Sequence, residues 1–149
     1  MNTHQMILKN NRSGFTLVEM MVVIALIVLV GTFATGQIIS QYNKSKVNAT
    51  KVQIKSLATL LDQYRLDCGS YPTSEQGLEA LLRKPEGGRE CKNYNPDGYM
   101  KGGKPPEDGF GYAFQYESDG NTFEIKSLGN DNAEGGEALD ADISSKDAG

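Results

Sequence analysis

The sequence predicts an α+β chain: a long N-terminal helix packed on a small domain with a short helix, an antiparallel hairpin and an acidic, glycine-rich loop. Three patterns predict it. From Met20 the chain carries no charge until Lys44, and it is strongly apolar through Val30. Between Tyr42 and Leu66 the apolar positions Val47, Ile54, Leu57, Leu61 and Tyr64 fall at the spacing of an amphipathic helix. Later, Tyr112, Phe114 and Tyr116 alternate with Ala113, Gln115 and Glu117. After a Ser118-Asp119-Gly120-Asn121 turn, Phe123 and Ile125 alternate with Glu124 and Lys126, as in a hairpin.

A chain of 149 residues is one modest domain with extras rather than two. Only 38% of it is hydrophobic, and much of that lies in 15–39, so the soluble part is thin in core residues and needs a staple, a metal or neighbours. The formal charge of −4 becomes −6 without residues 1–14, which carry Lys9 and Arg12; this disfavours nucleic acid as a partner. The single histidine, His4, lies in the leader, so the rest of the chain has none for a Ser-His-Asp or Cys-His site. If the chain is exported, Cys68 and Cys91 can pair, closing a loop worth about 3 kcal/mol; in a reducing compartment they are two free thiols.

Lys9 and Arg12 favour a cytoplasmic N-terminus, whereas Lys44, Lys46, Lys51 and Lys55 argue the other way. The segment Phe15–Ile39 is about 37 Å long as a helix, enough to cross a bilayer, and Gly31 and Gly36 only weaken it. Within it stands Glu19, a charge that is expensive in lipid and needs a partner. An ordinary signal peptide would be cut near Thr32-Phe33-Ala34; the alternative cut, after Gly14, leaves the apolar helix on the mature chain.

Arg12-Ser13-Gly14-Phe15-Thr16-Leu17-Val18-Glu19, followed by Met20–Val30, resembles the leader of type IV pilins and pseudopilins. The resemblance implies a prepilin peptidase that cuts between Gly14 and Phe15 and methylates the new N-terminus at Phe15. It also implies a type IV pilin-like fold. The amine freed at Phe15 and the Glu19 carboxylate can neutralise one another in the membrane. The family resemblance places that pairing between neighbouring subunits and makes Glu19 an assembly residue.

No Pro or Gly interrupts Gln37–Cys68, so one helix is expected from Phe15 to Leu66, with Lys44, Lys51 and Lys55 on a polar face suited to lipid headgroups, adjacent subunits or water. Gly69 is a fit helix stop. Thr73 and Gln76 read as a capping box opening a short helix through Arg83, with Leu78, Leu81 and Leu82 inward. Lys84-Pro85-Glu86-Gly87-Gly88 ends it, and 89–111 reads as irregular. The hairpin aromatics are expected to pack on the stripe of the long helix. Tyr71–Leu81, Asp108-Gly109-Phe110-Gly111 and Ser127-Leu128-Gly129-Asn130-Asp131 resemble the major pseudopilins of type II secretion systems. Two features depart from that family: its frequent Asp-Pro-Trp-Gly is here Asp108-Gly109-Phe110-Gly111, and the Cys68/Cys91 pair is not part of its usual pattern.

Asn130–Asp142 gathers Asp131, Glu134, Glu137, Asp140 and Asp142 around Gly135 and Gly136. By spacing alone this is either an acidic disordered tail or a flexible oxygen-rich loop of the kind calcium prefers. The resemblance implies structural calcium, held by the carbonyls of Leu128 and Ala133 and the carboxylates of Asp131, Asp140 and Asp142. Ser144–Gly149 reads as a mobile end.

The resulting organisation is a leader over 1–14, a transmembrane and filament-core half-helix over 15–39, and a periplasmic domain over 40–149. The resemblance implies the major structural subunit, not an enzyme, of a periplasmic pseudopilus that drives folded proteins across the outer membrane of a Gram-negative bacterium. Before assembly the chain would be a single-pass inner-membrane protein. Its implied partners are copies of itself, minor pseudopilins, prepilin peptidase, an inner-membrane platform with a cytoplasmic ATPase, an outer-membrane secretin and the lipid bilayer. Two alternatives are a surface type IV pilin, disfavoured because no cysteine follows Cys91, and a calcium-binding module with a mature N-terminus at Thr35.

Overall fold

The structure, a computed structural model, describes residues 14–147 apart from the side chains of 32–38. The leader bases Lys9 and Arg12, the Ala34 cleavage alternative and the end of the chain lie outside the described residues. Helix α1 runs Leu17–Cys68, 52 residues without a break, as the absence of proline predicts. Gly69 closes it at φ +79°, its N–H on the Arg65 carbonyl at 2.7 Å.

The chain divides into two compact units, Met1–Ser40 and Gln41–Gly149. In the first, the large apolar side chains described from Leu17 to Val30 are all exposed. Among the described residues no helix is long and apolar enough to cross a membrane. The span expected over 15–39 runs on into the side chains outside the description.

The second unit is built on the helical stripe. Ile54, Leu57, Leu61 and Tyr64 are buried, with Val47 half-buried below them. Against them pack Leu78, Ala80 and Leu81 from one side and Phe114, Ile125 and Ile143 from the other. The capping box forms: Thr73 N–H donates to Gln76 Oε1 at 3.0 Å and Gln76 N–H to Thr73 Oγ1 at 3.4 Å. The helix it should open does not run to Arg83. Gly77 sits at φ +60° and ψ −169°, and only a 3₁₀ turn, Leu78–Leu81, follows. Ala80 is buried in this turn, and Leu82 is only half-buried.

The hairpin is β1, Gln115–Ser118, against β2, Phe123–Ser127, with Tyr116 opposite Ile125. Asp119 Oδ1 closes the turn by accepting from the Asn121 and Thr122 N–H groups at 2.8 Å, which holds its carboxyl below the usual range. The strand begins at Gln115 rather than Tyr112; Phe114 is buried, whereas Tyr112 is 37% exposed. A third strand, β3, Ile143–Ser144, pairs on β2 and makes the order β1-β2-β3. This corrects the mobile end expected over Ser144–Gly149 as far as Asp147; 148 and 149 lie outside the described residues. Ile143 is buried, Ser144 Oγ donates to Glu124 Oε1 at 2.8 Å, and Lys146 pairs with the other Glu124 oxygen. These two donors, Lys146 first, hold the Glu124 carboxyl below its ordinary value. The clip is therefore intact at neutral pH and is lost as acid protonates Glu124.

Candidate functional site

At the N-terminus, Gly14, Phe15 and Thr16 precede the helix, and Phe15 is 80% exposed. Thr16 caps α1: its Oγ1 accepts from Glu19 N–H and its carbonyl from Met20 N–H, both at 3.2 Å. Glu19 thus stands in the first turn, where the helix dipole favours a carboxylate, and its side chain is exposed among apolar neighbours. The Thr16 cap was legible as Thr-x-x-Glu ahead of an apolar run, a signal the sequence reading left unused.

At the far end of α1, Cys68 and Cys91 form a disulfide, their Cα atoms 4.6 Å apart. It ties the irregular segment beneath a tyrosine cluster. Tyr64, Tyr94 and Tyr99 pack with ring centroids 5.3–6.1 Å apart. Tyr94 Oη donates to the Ala80 carbonyl at 3.0 Å, and Tyr99 Oη to Asp67 Oδ2 at 2.9 Å. Burial, with Asp67 beside it, pushes the Tyr99 phenol up to about 12.

Between these ends lies a latch that sequence reasoning missed. Thr50, fully buried, donates its hydroxyl to the Lys46 carbonyl at 3.0 Å and accepts Gly109 N–H at 2.9 Å. The neighbouring Asp108 is buried too. Its Oδ1 accepts from the Phe110 and Tyr112 N–H groups at 2.9 Å, and its Oδ2 accepts from Ser127 Oγ at 2.6 Å. The signal was Thr50 itself, a hydroxyl in the seven-residue gap between Val47 and Ile54 of the buried stripe.

Ser127 leads into the acidic loop. Gly129, at φ +67°, leaves room for the Asp140 carbonyl: a Cβ there would come within 2.7 Å of it. Gly136, at φ +86°, hugs the same peptide group, with 2.8 Å from a Cβ to the Asp140 carbonyl carbon. Asn130 N–H donates to the Leu139 carbonyl at 3.0 Å, so both ends of the loop are held together. Asp131 Oδ1 accepts from Ala133 N–H at 3.1 Å, and Asp140 Oδ1 from Asn130 Nδ2 at 3.1 Å. Asp142 Oδ1 is buried without any hydrogen-bond partner. A carboxylate oxygen out of water with no donor wants a cation. Among the described residues no three of His, Cys, Asp and Glu converge as a metal group. The residues expected to hold calcium, Leu128, Asp131, Ala133, Asp140 and Asp142, all lie in or beside this loop.

The family model described as type II secretion system, protein G, matches residues 37–146, and the prokaryotic N-terminal methylation motif matches 9–35. The type II secretion system core protein G of Pseudomonas aeruginosa is 43% identical, over 93% of this chain and 98% of its own. That of Vibrio cholerae is 39% identical over 89% and 90% of the two chains. The crystal structure of the major pseudopilin from the type 2 secretion system of enterohaemorrhagic Escherichia coli matches with a TM-score of 0.59 at 33% identity. That match covers 72% of this chain and 91% of the other. A surface pilin is set aside by the protein G match, and an enzyme by the structural role of the family. The long capped helix, the small sheet packed on it and these matches together show that the chain belongs to the type II secretion system protein G family, the major pseudopilins.

Proposed function

We propose that this pseudopilin, a self-assembling envelope protein of the secretion machinery, waits in the inner membrane and is then stacked into a periplasmic filament. The filament would push folded proteins through an outer-membrane secretin. One observation carries the reading: the helix exposes apolar side chains from Leu17 to Val30, interrupted only by Glu19. Such a face is covered by lipid or by other copies of itself. Prepilin peptidase would free the Phe15 amine, and Glu19 would meet the amine of the next copy. A cytoplasmic ATPase acting through an inner-membrane platform would drive the stacking, and minor pseudopilins would complete the filament.

Glu19→Ala is expected to leave cleavage and Phe15 methylation intact by intact-mass measurement, while filaments and exoprotein secretion are lost. Filaments of normal length from that variant would remove Glu19 from assembly. A mature N-terminus at Thr35 would instead assign an ordinary signal peptide.

Calcium belongs to the same proposal. Asp131, Asp140 and Asp142, with the Leu128 and Ala133 carbonyls, would hold the ion, which supplies positive charge to the loop and stiffens it. At a hundredfold excess over Kd the ion should add about 3 kcal/mol of stability. Excess chelator should therefore lower the melting temperature, and Asp142→Asn should abolish that sensitivity. An unchanged melt in chelator would count against the ion.

A further inference from the structure

The latch on Thr50 presents something besides itself. Between Asp108 and Tyr112 the loop is held by Asp108 Oδ1 from within and by Thr50 on α1, so Phe110 and Tyr112 have fixed backbone positions. Lys46, one turn before Thr50, places its ammonium 5.1 Å from the Tyr42 ring and 5.6 Å from the Phe110 ring. Tyr42 is 62% exposed, and Lys44 is exposed beside it. Among the described residues neither Lys44 nor Lys46 is in an ion pair. The loop offers them no free carboxylate: Glu107 is paired with Lys104, and Asp108 is consumed by Phe110, Tyr112 and Ser127. Tyr42 stands three residues after Ile39 in the sequence, just beyond the apolar segment.

A tyrosine with an apolar body and a polar tip, next to lysines on long stems, is the composition of a membrane–water boundary, and Tyr42 stands so beside Lys46. The local charge is positive although the chain as a whole is acidic. These lysines also run against the positive-inside rule, so they oppose the expected orientation unless they do something else there.

We propose that Tyr42, Lys44, Lys46 and Phe110 form a headgroup-level anchor for anionic phospholipid, seating the domain beyond the apolar segment on the bilayer surface before the subunit is extracted. The proposal rests on residues 15–39 occupying the membrane. The rings enter the headgroup region, and the two ammonium groups meet lipid phosphates. The same lysines would have to leave those phosphates when the subunit joins a filament, so the anchor holds the waiting pool rather than the assembled form.

The protein has no tryptophan, so Tyr42→Trp introduces a single reporter at an exposed ring beside Lys46. The full chain carrying it is reconstituted in phosphatidylcholine vesicles, with and without phosphatidylglycerol, using lipids brominated close to the headgroup. The expected result is a blue-shifted emission quenched by the bromines, with seated protein increasing several-fold when phosphatidylglycerol is present. Lys44→Gln and Lys46→Gln should each weaken the phosphatidylglycerol effect by about fivefold. Lys44 is exposed, so its variant tests the charge without disturbing the fold. If the chain floats with the vesicles but the indole is unquenched in all of them, the anchor is wrong while the membrane reading stands. If the chain does not float with vesicles at all, both fail. Quenching that is the same with and without phosphatidylglycerol would overturn the proposal, and a blue shift without quenching that tracks the protein-to-lipid ratio would give the surface to a second copy of the chain.

Discussion

Removing the disulfide with Cys68→Ser and Cys91→Ser is expected to destabilise the unit Gln41–Gly149 by about 3 kcal/mol, because it releases a cross-link spanning 23 residues. For a domain of roughly 100 residues that is a fall of about 10–20 °C in Tm. The reason lies in what the bond holds. The segment between the 3₁₀ turn and β1 has little regular structure, and it reaches the core through Tyr94 and Tyr99 on Tyr64. Its other ties near the helix end are the Tyr94 and Tyr99 hydroxyls on the Ala80 carbonyl and Asp67, and the Tyr99 and Met100 N–H groups on the Leu81 carbonyl, with the Asp108–Gly109 latch further along. Without the covalent tether, ordering that loop would fall to those contacts alone. Each single variant should cost nearly as much as the double, since either one breaks the same bond. Urea unfolding of the three variants measures this. Single effects that summed to the double effect would mean that the side chains act separately and that the cross-link is not what stabilises the domain.

Gly109→Ala is expected to have an effect of comparable size for a different reason. A Cβ at Gly109 would overlap the Lys46 carbonyl oxygen and lie 2.9 Å from both its carbon and Thr50 Oγ1. These neighbours belong to the long helix, two of them to its backbone, so they cannot yield as a flexible side-chain tip would. Overpacking of this kind costs about 1–3 kcal/mol and occasionally more. The top of that range is expected here, because pushing the loop away also breaks the Gly109–Thr50 hydrogen bond. Gly111→Ala is the informative comparison. Gly111 has φ +93° but open space around its Cβ position, so only backbone strain of about 1–2 kcal/mol applies. Thermal melts of the two variants should rank Gly109→Ala well below Gly111→Ala. The reverse order would mean that the loop does not rest on the helix as described.

The long helix was legible because its requirements are local. An unbroken run without Pro, a stripe at helical spacing and a glycine at the stop are all sequence properties, and Leu17–Cys68 follows them. The disulfide was legible in part, from export and cysteine count, although pairing needed Cys91 to return to the helix end. The short helix after Thr73 failed because the capping box is real but Gly77 takes a positive φ four residues on. A hydrogen-bonding signature opens a helix and does not guarantee that the next turn continues it. Ser144–Asp147 read as a loose end because two residues of strand carry no periodicity. Their order comes from Glu124, twenty residues away in sequence.

The latch was least legible of all. Thr50, Asp108, Gly109 and Ser127 lie in three separate stretches, and although Asp108-Gly109 and Ser127 fall in motifs that carry the family resemblance, nothing in the sequence joins them to Thr50. The fold puts a helix hydroxyl, a buried carboxylate and a backbone without a side chain at one point.

By itself the sequence determined the apolar helix with its one carboxylate, the amphipathic stripe that continues it and the hairpin that covers that stripe. All of these rest on periodicity, which neighbouring residues along the chain suffice to write. Only the tertiary structure decided that Gly109 ties to Thr50 on the helix while Asp108 ties to Ser127 at the start of the acidic loop, that Asp142 keeps one buried oxygen without a partner, and that Lys46 stands near two rings. Those arrangements depend on distances between residues far apart in sequence, which are set when the loops close over the helix.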